Sequence, residues 1–241
     1  MSFYEEISKY YDYIFPTRKE QVSFICEVAG NPPKTLLDIA CGTGGYSIEL
    51  AGLGYDVTAT DIDAKMMKTL NNKLLNHDCK INCIQAGMLE LAEKLHTSFD
   101  LVFCIGNSIV HLDKKDDIQA FFKSAKQLLK KDGSLIVQII NFDRVLLKEI
   151  RELPTITNDE IGLSFERFYR CDEEENRIFF KTILTVDDKK IENEIPLYLL
   201  LSDDAVEMLN DAGFKKVRLF GDFIGNEYDK YNSYMLVLWA S

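Results

Sequence analysis

The stretch from Leu36 to Asp63, LLDIACGTGGYSIELAGLGYDVTATDID, limits what this chain can fold into more than any other. It reads as strand, glycine-rich turn, helix and strand, closed by an acid. Leu36, Leu37, Ile39 and Ala40 are apolar and suit a strand buried on both faces. Gly42, Gly44 and Gly45 permit backbone conformations closed to other residues and let a ligand approach the main chain. Thr43 is expected to cap the helix that follows, which carries Tyr46, Ile48, Leu50 and Ala51. Tyr55 to Thr60 reads as a second strand. Asp61 lies just past its carboxyl end, where an acid can accept both hydroxyls of a ribose. A glycine turn with no ligand would leave Asp38 and Asp61 unexplained, so the unit is expected to bind a nucleoside.

Asp38 narrows the choice of nucleoside. A dinucleotide turn reads G-x-G-x-x-G after an uncharged strand, so that a pyrophosphate can rest on the helix amino terminus. Here the last glycine of that pattern is Ser47, and an acid lies four residues before Gly42. A carboxylate aimed at the turn repels a pyrophosphate and favours a cation. S-adenosylmethionine carries an ammonium and a sulfonium and has no phosphate. The segment resembles motif I, D-x-x-x-G-x-G, of the class I S-adenosylmethionine-dependent methyltransferases. The resemblance implies this cofactor and an in-line displacement of its methyl group by an acceptor lone pair.

The rest of the chain supports an α/β fold. Two helices are expected near Phe3–Ile14 and Arg18–Ala29, with Asn31-Pro32-Pro33 ending the second. A helix at Ala64–Asn76, strands at Lys80–Gln85 and Phe99–Ile105, a helix at Ile118–Leu129 and a strand at Ser134–Ile140 follow in alternation. Such alternation gives a doubly wound parallel sheet with its ligand across the carboxyl ends of the strands. The pattern changes near Asn141. Arg144–Glu152 reads as helix. Gly162–Arg170, Arg177–Val186 and Lys190–Leu200 then alternate polar and apolar, as antiparallel strands do. This reads as an insertion over the cofactor cleft, with a sheet extension or a dimer contact as the other reading. Ser202 is expected to cap a helix to Ala212, before strands at Phe214–Gly221 and Ser233–Ala240. The family's fold implies a seven-stranded Rossmann-like sheet, order 3-2-1-4-5-7-6, with the last strand antiparallel. The expected divisions are a helical cap over residues 1–33, a cofactor-binding core over 34–141, a β insertion over 142–201 and a terminal helix and hairpin over 202–241.

Charge and cysteine content exclude several partners. The net charge is −11, from 28 basic and 39 acidic residues. An acidic surface repels phosphate backbones, so no nucleic acid is expected. No basic run, membrane-length apolar run or signal peptide is read, and the six cysteines form no CxxC pair. A cytoplasmic protein with reduced thiols, no metal and a small-molecule substrate is expected, with homodimerisation open.

The segment Cys104-Ile105-Gly106-Asn107-Ser108-Ile109-Val110-His111-Leu112 lacks the N-P-P-Y type motif of amino-methylating DNA enzymes. It is similar to the L-G-N-S-x-x-H-L segment of glycine N-methyltransferases. Asn141-Phe142-Asp143 resembles their N-Y-D and Gly221-Asp222-Phe223 their G-D-F. Those enzymes hold a substrate carboxylate with an arginine just before N-Y-D, where this chain has Ile140. The likeness implies methyl transfer to an amine nitrogen. The alternatives are an O- or C-methyltransferase of a secondary metabolite or quinone precursor, and a non-catalytic cofactor-binding module.

It also implies a site. Asn107, His111 and Tyr11 would face the transferring methyl, His111 as general base, with Asn141 and Tyr198 beside the acceptor. Arg18 would pair with the methionyl carboxylate, and Ile62 and Met66 would sandwich the adenine. Gly87 stands where the family often carries an acid or asparagine, so backbone groups of Gly87 and Met88 would read the adenine edge. Ala40 and Cys104 complete the cofactor wall beside Asp38, Gly42, Gly44 and Asp61. Bland readings stand beside several of these: helix core for Met66, a turn cap for Asn107, a local hydrogen bond for His111, helix surface for Tyr11 and Arg18.

Overall fold

In the computed structural model, which describes residues 7–187 and 189–241, the chain builds two sheets. The first five strands are β1 (Thr35–Ile39), β2 (Asp56–Asp61), β3 (Ile81–Gln85), β4 (Phe99–Cys104) and β5 (Leu129–Ile140). They pair in parallel. Four strands follow, β6 (Glu152–Asn158), β7 (Leu163–Asp172), β8 (Arg177–Val186) and β9 (Lys189–Tyr198). The chain closes with β10 (Val217–Phe220) and β11 (Met235–Ala240). The larger sheet has seven strands in the order β10-β11-β5-β4-β1-β2-β3, with β11 antiparallel to both its neighbours. This is the strand order and orientation expected for a Rossmann-like methyltransferase fold. The smaller sheet, β6-β7-β8-β9, is antiparallel throughout.

The helices are α1 (Tyr11–Ile14), α2 (Lys19–Ala29), α3 (Gly45–Gly52), α4 (Ala64–Leu74), α5 (Leu91–Lys94), α6 (Lys115–Leu128), α7 (Phe142–Leu147) and α8 (Ser202–Asp211). In α6, Ile118, Phe121, Phe122, Ala125 and Leu128 are buried, an apolar stripe at helical spacing packed on the sheet. Asp116 and Asp117 occupy its first turn, where the helix dipole favours acids. Strands β1, β4 and β5 lie between helices on both faces. Leu36, Leu37, Leu101, Val102, Phe103, Ile136 and Val137 are accordingly fully buried, as parallel strands in such a sandwich are.

Several expected boundaries shift. The first expected helix falls partly outside the described residues, and within them only α1 is a regular turn. The expected Arg144–Glu152 helix ends at Leu147, and β6, which the alternation did not signal, begins at Glu152. β5 starts earlier than expected because Leu129 already pairs with Phe99 before the register jumps to Leu101–Ser134. Thr43 does not cap α3. Gly44 holds that position in a left-handed conformation, and the Thr43 hydroxyl donates to Asp12 Oδ1 at 2.5 Å. Leu201, not Ser202, is the cap of α8, and the Ser202 amide donates to Asp143 Oδ2.

One face of the smaller sheet is apolar in rows across the strands. Phe165, Leu184 and Ile191 form one row, packed with Ile7 and Ile14. Tyr169, Phe180 and Ile195 form another, packed on the main core. Between them runs Arg167, Thr182 and Asn193.

Candidate functional site

At the carboxyl end of β1 the chain turns through left-handed conformations at Ala40 (φ 58°), Gly42 (φ 58°) and Gly44 (φ 76°). The glycines are demanded by their neighbours. A Cβ on Gly42 would meet the Tyr11 ring at 3.1 Å, and one on Gly44 would overlap Leu70 Cδ1 of α4 at 2.2 Å. Thr17 Oγ1 would stand 2.1 Å from a Cβ on Gly45. The turn is therefore clamped between the amino-terminal segment and α4. Asp12 fastens that clamp, accepting from Thr43 and pairing with Lys73 Nζ at 2.6 Å. The Tyr46 hydroxyl adds a hydrogen bond to the Gln21 side chain.

Two acids lie under the turn. Asp61 Oδ2 accepts from the Gly42 amide at 2.8 Å, and its Oδ1 from the Asp63 amide at 2.8 Å. Burial raises its pKa, against the pull of those amides. Asp38 is buried and accepts from Ser47 Oγ at 2.6 Å. Burial pushes it up to about 7; the Ser47 hydroxyl pulls it down and nearby Asp61 pushes it further up. No cation pairs with either acid among the described residues. Two desolvated carboxyls beside an open turn fit a ligand that brings positive charge, as the amino and sulfonium groups of S-adenosylmethionine do.

A cavity of about 690 Å³ opens over this turn. Its wall includes Asp38, Ala40, Cys41, Thr43 and Gly45 from the turn and Tyr11, Phe15 and Arg18 from the amino-terminal segment. It continues past Asn107 and His111 after β4 and Gln138 and Ile140 on β5. Leu153 to Ile156 of β6, Arg167 and Tyr169 of β7 and Phe180 of β8 close the far side, with Tyr234 and Met235. The loop after β4 is held in shape by β5. Gly106 (φ 83°) donates to Gln138 Oε1 at 2.8 Å, Asn107 (φ 67°) donates to the Gln138 carbonyl at 3.1 Å, and Asn107 Oδ1 accepts from the Ile140 amide at 2.9 Å. His111 ends a short 3-10 turn, Ile109–His111, and burial pushes its imidazole down to about 4. It is neutral near pH 7.

The structure separates the expected site residues into groups. Tyr11, Arg18, Asp38, Ala40, Asn107 and His111 share the cavity wall. Gly42, Gly44 and Asp61 shape the turn beside it. Ile62 is 73% exposed and lies against Gly87, whose Cβ would stand 3.4 Å from Ile62 Cδ1. The Gly87 amide, expected to read an adenine, already donates to Glu90 Oε2 at 3.0 Å. Met88 packs against the main core. Met66 is buried on the inner face of α4, the helix-core placement. Cys104 is fully buried in β4, where burial pushes its thiol far up.

Asn141 and Tyr198 stand elsewhere than expected. Asn141 is fully buried, its Nδ2 donating to the carbonyls of Asp229, Lys230 and Ser233 and its Oδ1 accepting from Tyr228 and Arg144. That commitment ties the loop before β11 to β5 and leaves nothing for a substrate. Tyr198 is packed in the main core at the end of β9. Conversely, Gln138, Arg167 and Phe180 line the cavity without having been singled out. Gln138 carried a legible signal, a lone polar residue inside the apolar run Leu135–Ile140.

The comparisons with known proteins agree with this geometry. The methyltransferase domain family matches residues 36–133. A glycine/sarcosine N-methyltransferase of Parasynechococcus marenigrum (strain WH8102) is 35% identical over 113 residues, 47% of this chain and 40% of the relative. That of Aphanothece halophytica is 26% identical over 210 residues, 83% of this chain and 73% of the relative. A solved S-adenosylmethionine-dependent methyltransferase of Clostridium acetobutylicum superposes with a TM-score of 0.80 at 17% identity, covering 100% of this chain and 99% of its own. Residues 36–133 thus carry the methyltransferase domain, and the chain has the fold of the S-adenosylmethionine-dependent methyltransferases, whose cofactor is S-adenosylmethionine. Within that class, glycine and sarcosine N-methyltransferases are among its relatives. Among the described residues no helix is long and apolar enough to cross a membrane.

Proposed function

We infer that the protein transfers a methyl group to the amine nitrogen of a small molecule. One observation carries this reading. A single cavity runs from the left-handed turn at Ala40 to Asn107, His111, Gln138, Tyr169 and Phe180. On this reading donor and acceptor share one open cavity of about 690 Å³, of a size that takes two small molecules. The names of the relatives support nitrogen as the methylated atom.

When bound, S-adenosylmethionine supplies an electrophilic methyl on a sulfonium. The new C–N bond forms as the S–C electron pair returns to sulfur, and the acceptor's extra proton leaves to solvent. On this reading Asp61, beside the turn, takes the ribose hydroxyls, Asp38 faces the cationic end and Arg18 pairs with the methionyl carboxylate. Tyr11 covers the turn and excludes water. Asn107, fixed by the Ile140 amide, orients the acceptor. His111, neutral near pH 7, lies on the cavity wall beside the incoming amine. Holding two reactants in line accounts for roughly 7–11 kcal/mol of such a barrier. Calorimetry with S-adenosylmethionine and its demethylated product, followed by turnover on matched amines and alcohols, tests the reading. Binding of both, and methylation confined to amines, is the expected result. Turnover on alcohols alone would move the reaction to oxygen, and no heat from folded protein would end the reading.

A further inference from the structure

We propose that Gln138 of β5 reads the methyl acceptor, and that the acceptor carries an uncharged oxygen beside its amine. This deepens the preceding reading and rests on it for the amine, but not for the oxygen.

Gln138 is a polar side chain in the apolar run Leu135–Ile140, 5% exposed and on the cavity wall. One half of its carboxamide is committed. The Gly106 amide donates to it at 2.8 Å, and a main-chain N–H needs an acceptor, so the atom there is Oε1. The NH2 group is thereby turned the other way. Nε2 donates to nothing among the described residues, yet it is not among the side-chain atoms sealed in the core without a partner. It opens on the cavity that Gln138 lines. A donor held this deep, with its direction set by the other end of the same amide, calls for an acceptor brought by a ligand.

Asn107 repeats the arrangement from the loop after β4. Its Oδ1 accepts from the Ile140 amide at 2.9 Å, and its Nδ2 has no partner among the described residues. Its main-chain amide donates to the Gln138 carbonyl at 3.1 Å. The two carboxamides are thus crossed. Gln138 reaches from β5 to the backbone of the loop, and Asn107 reaches from the loop to the backbone of β5. Both oxygens are used in the crossing, and both NH2 groups are left to the cavity wall.

The chemistry of transfer decides which acceptor atom these donors meet. An amine nitrogen that accepted their hydrogen bonds would have its lone pair engaged, and that lone pair must be free to attack the methyl. The N–H groups therefore meet a second atom of the acceptor molecule, and oxygen is the ordinary partner of an amide N–H. Neither carboxamide carries a charge, and Ile140, the next residue on the same face of β5, is apolar. The cavity wall holds four carboxylates, Asp12, Glu20, Asp38 and Asp222, against two arginines, Arg18 of the amino-terminal segment and Arg167 of β7. The oxygen of an ether, hydroxyl or carbonyl suits that setting better than an anion.

The test uses the full chain saturated with S-adenosylhomocysteine and titrated calorimetrically. Each amine skeleton, from short chains to rings, is offered in three forms. These are an amino ether, whose oxygen can only accept, the analogue with a methylene in place of that oxygen, and the amino carboxylate. Wild type is expected to bind the best ether at least fivefold tighter than its all-carbon analogue, and tighter than the carboxylate. Gln138→Glu keeps an oxygen for the Gly106 amide and replaces the NH2 with a second acceptor. At about pH 8.5, where the new carboxyl is ionised, it should bring the ether and the all-carbon analogue within twofold of each other. Both carry the same amine, so the added charge cancels in that comparison. Gln138→Met should level the pair too, and should also lower the melting temperature because the loop loses its tie. The affinity for S-adenosylhomocysteine should be the same in all three proteins. If nitrogen is not the methylated atom, an ether with a hydroxyl in place of the amine will bind as well as the amino ether while the dependence on Gln138 persists. The proposal is overturned if no probe binds wild type, if the ether and its all-carbon analogue bind equally, if the carboxylate binds more tightly, or if Gln138→Glu retains the preference. It also fails if that variant loses S-adenosylhomocysteine, which would place Gln138 on the donor side.

Discussion

At the end of β1, Ala40, Gly42 and Gly44 adopt left-handed conformations within five consecutive residues, and that local backbone shapes the side of the cavity proposed for the donor. Across the cavity the wall is made of side chains from segments far apart: Asn107 and His111, Gln138, Leu153, Arg167 and Tyr169, and Tyr234. The first construction depends on which residues can take a positive φ and what lies behind them. The second depends on how the small sheet sits against β5 and on which of its rows face inward. A change on the donor side should therefore act through the backbone and reach stability. A change on the acceptor side should act through one side chain and reach turnover or selectivity.

The sharpest break of this contrast is Gly44→Val. A Cβ at Gly44 overlaps Leu70 Cδ1, and its φ of 76° is closed to a β-branched residue. Overpacking and backbone strain together cost roughly 2–5 kcal/mol. Donor binding should be lost, and urea unfolding should show the destabilisation. Adding Leu70→Ala should relieve the clash and leave the strain, recovering part of the stability but little of the binding. A Gly44→Val protein that is as stable as wild type and binds donor equally well would show that the turn's shape is not what makes the donor side.

This asymmetry also explains what could be read in advance. The proposed donor side lies within one local stretch whose glycines and acids each carry a chemical reason, so the positions of Asp38, Ala40 and Asp61 at or beside the turn were legible from order and spacing. Strand order was legible because alternating strands and helices have few ways to pack. The small sheet's alternation marked β7, β8 and β9, yet it could not say which of its faces meets the cavity. Tyr169 and Phe180 line the cavity, whereas Phe179 faces the other way and stacks under Arg170. β6 was missed because Leu153-Pro154-Thr155 breaks the alternation, and a proline there fits an edge strand. Asn141 was misplaced for a related reason. Its five partners lie on α7 and in the loop before β11, and no local pattern announces such a tie.

Asp61→Ala separates the two sides at lower cost. The variant removes the acceptor of the Gly42 and Asp63 amides and, on the proposed reading, both ribose contacts. A lost charged hydrogen-bond partner is worth roughly 1.5–3 kcal/mol, so donor affinity should fall about tenfold to a hundredfold. At saturating donor, the KM for the acceptor should stay within a few-fold of wild type. An unchanged donor affinity with a raised acceptor KM would reverse the assignment of the two sides.

The smallest expected effect is at His111, and its pH dependence carries the information. Burial holds the imidazole at about 4, below its ordinary 6.5. A depressed histidine binds fewer protons folded than unfolded between those values, so its contribution to stability is intact above about pH 6.5 and is lost as pH falls through 4. His111→Gln should therefore flatten the fall in melting temperature over that window. Between pH 6 and 9 the residue stays neutral. It can accept one hydrogen bond from the amine but is too weak a base to be the group whose titration sets the rate. A neutral contact is worth about 1 kcal/mol, so turnover should fall roughly fivefold by the same factor at every pH in that range. In both proteins kcat/KM should rise with pH as the acceptor's own ammonium loses its proton. If instead the ratio of wild type to variant climbs more than tenfold toward pH 6, His111 takes the proton itself. The acceptor side would then have to hold a group that raises its basicity against the burial.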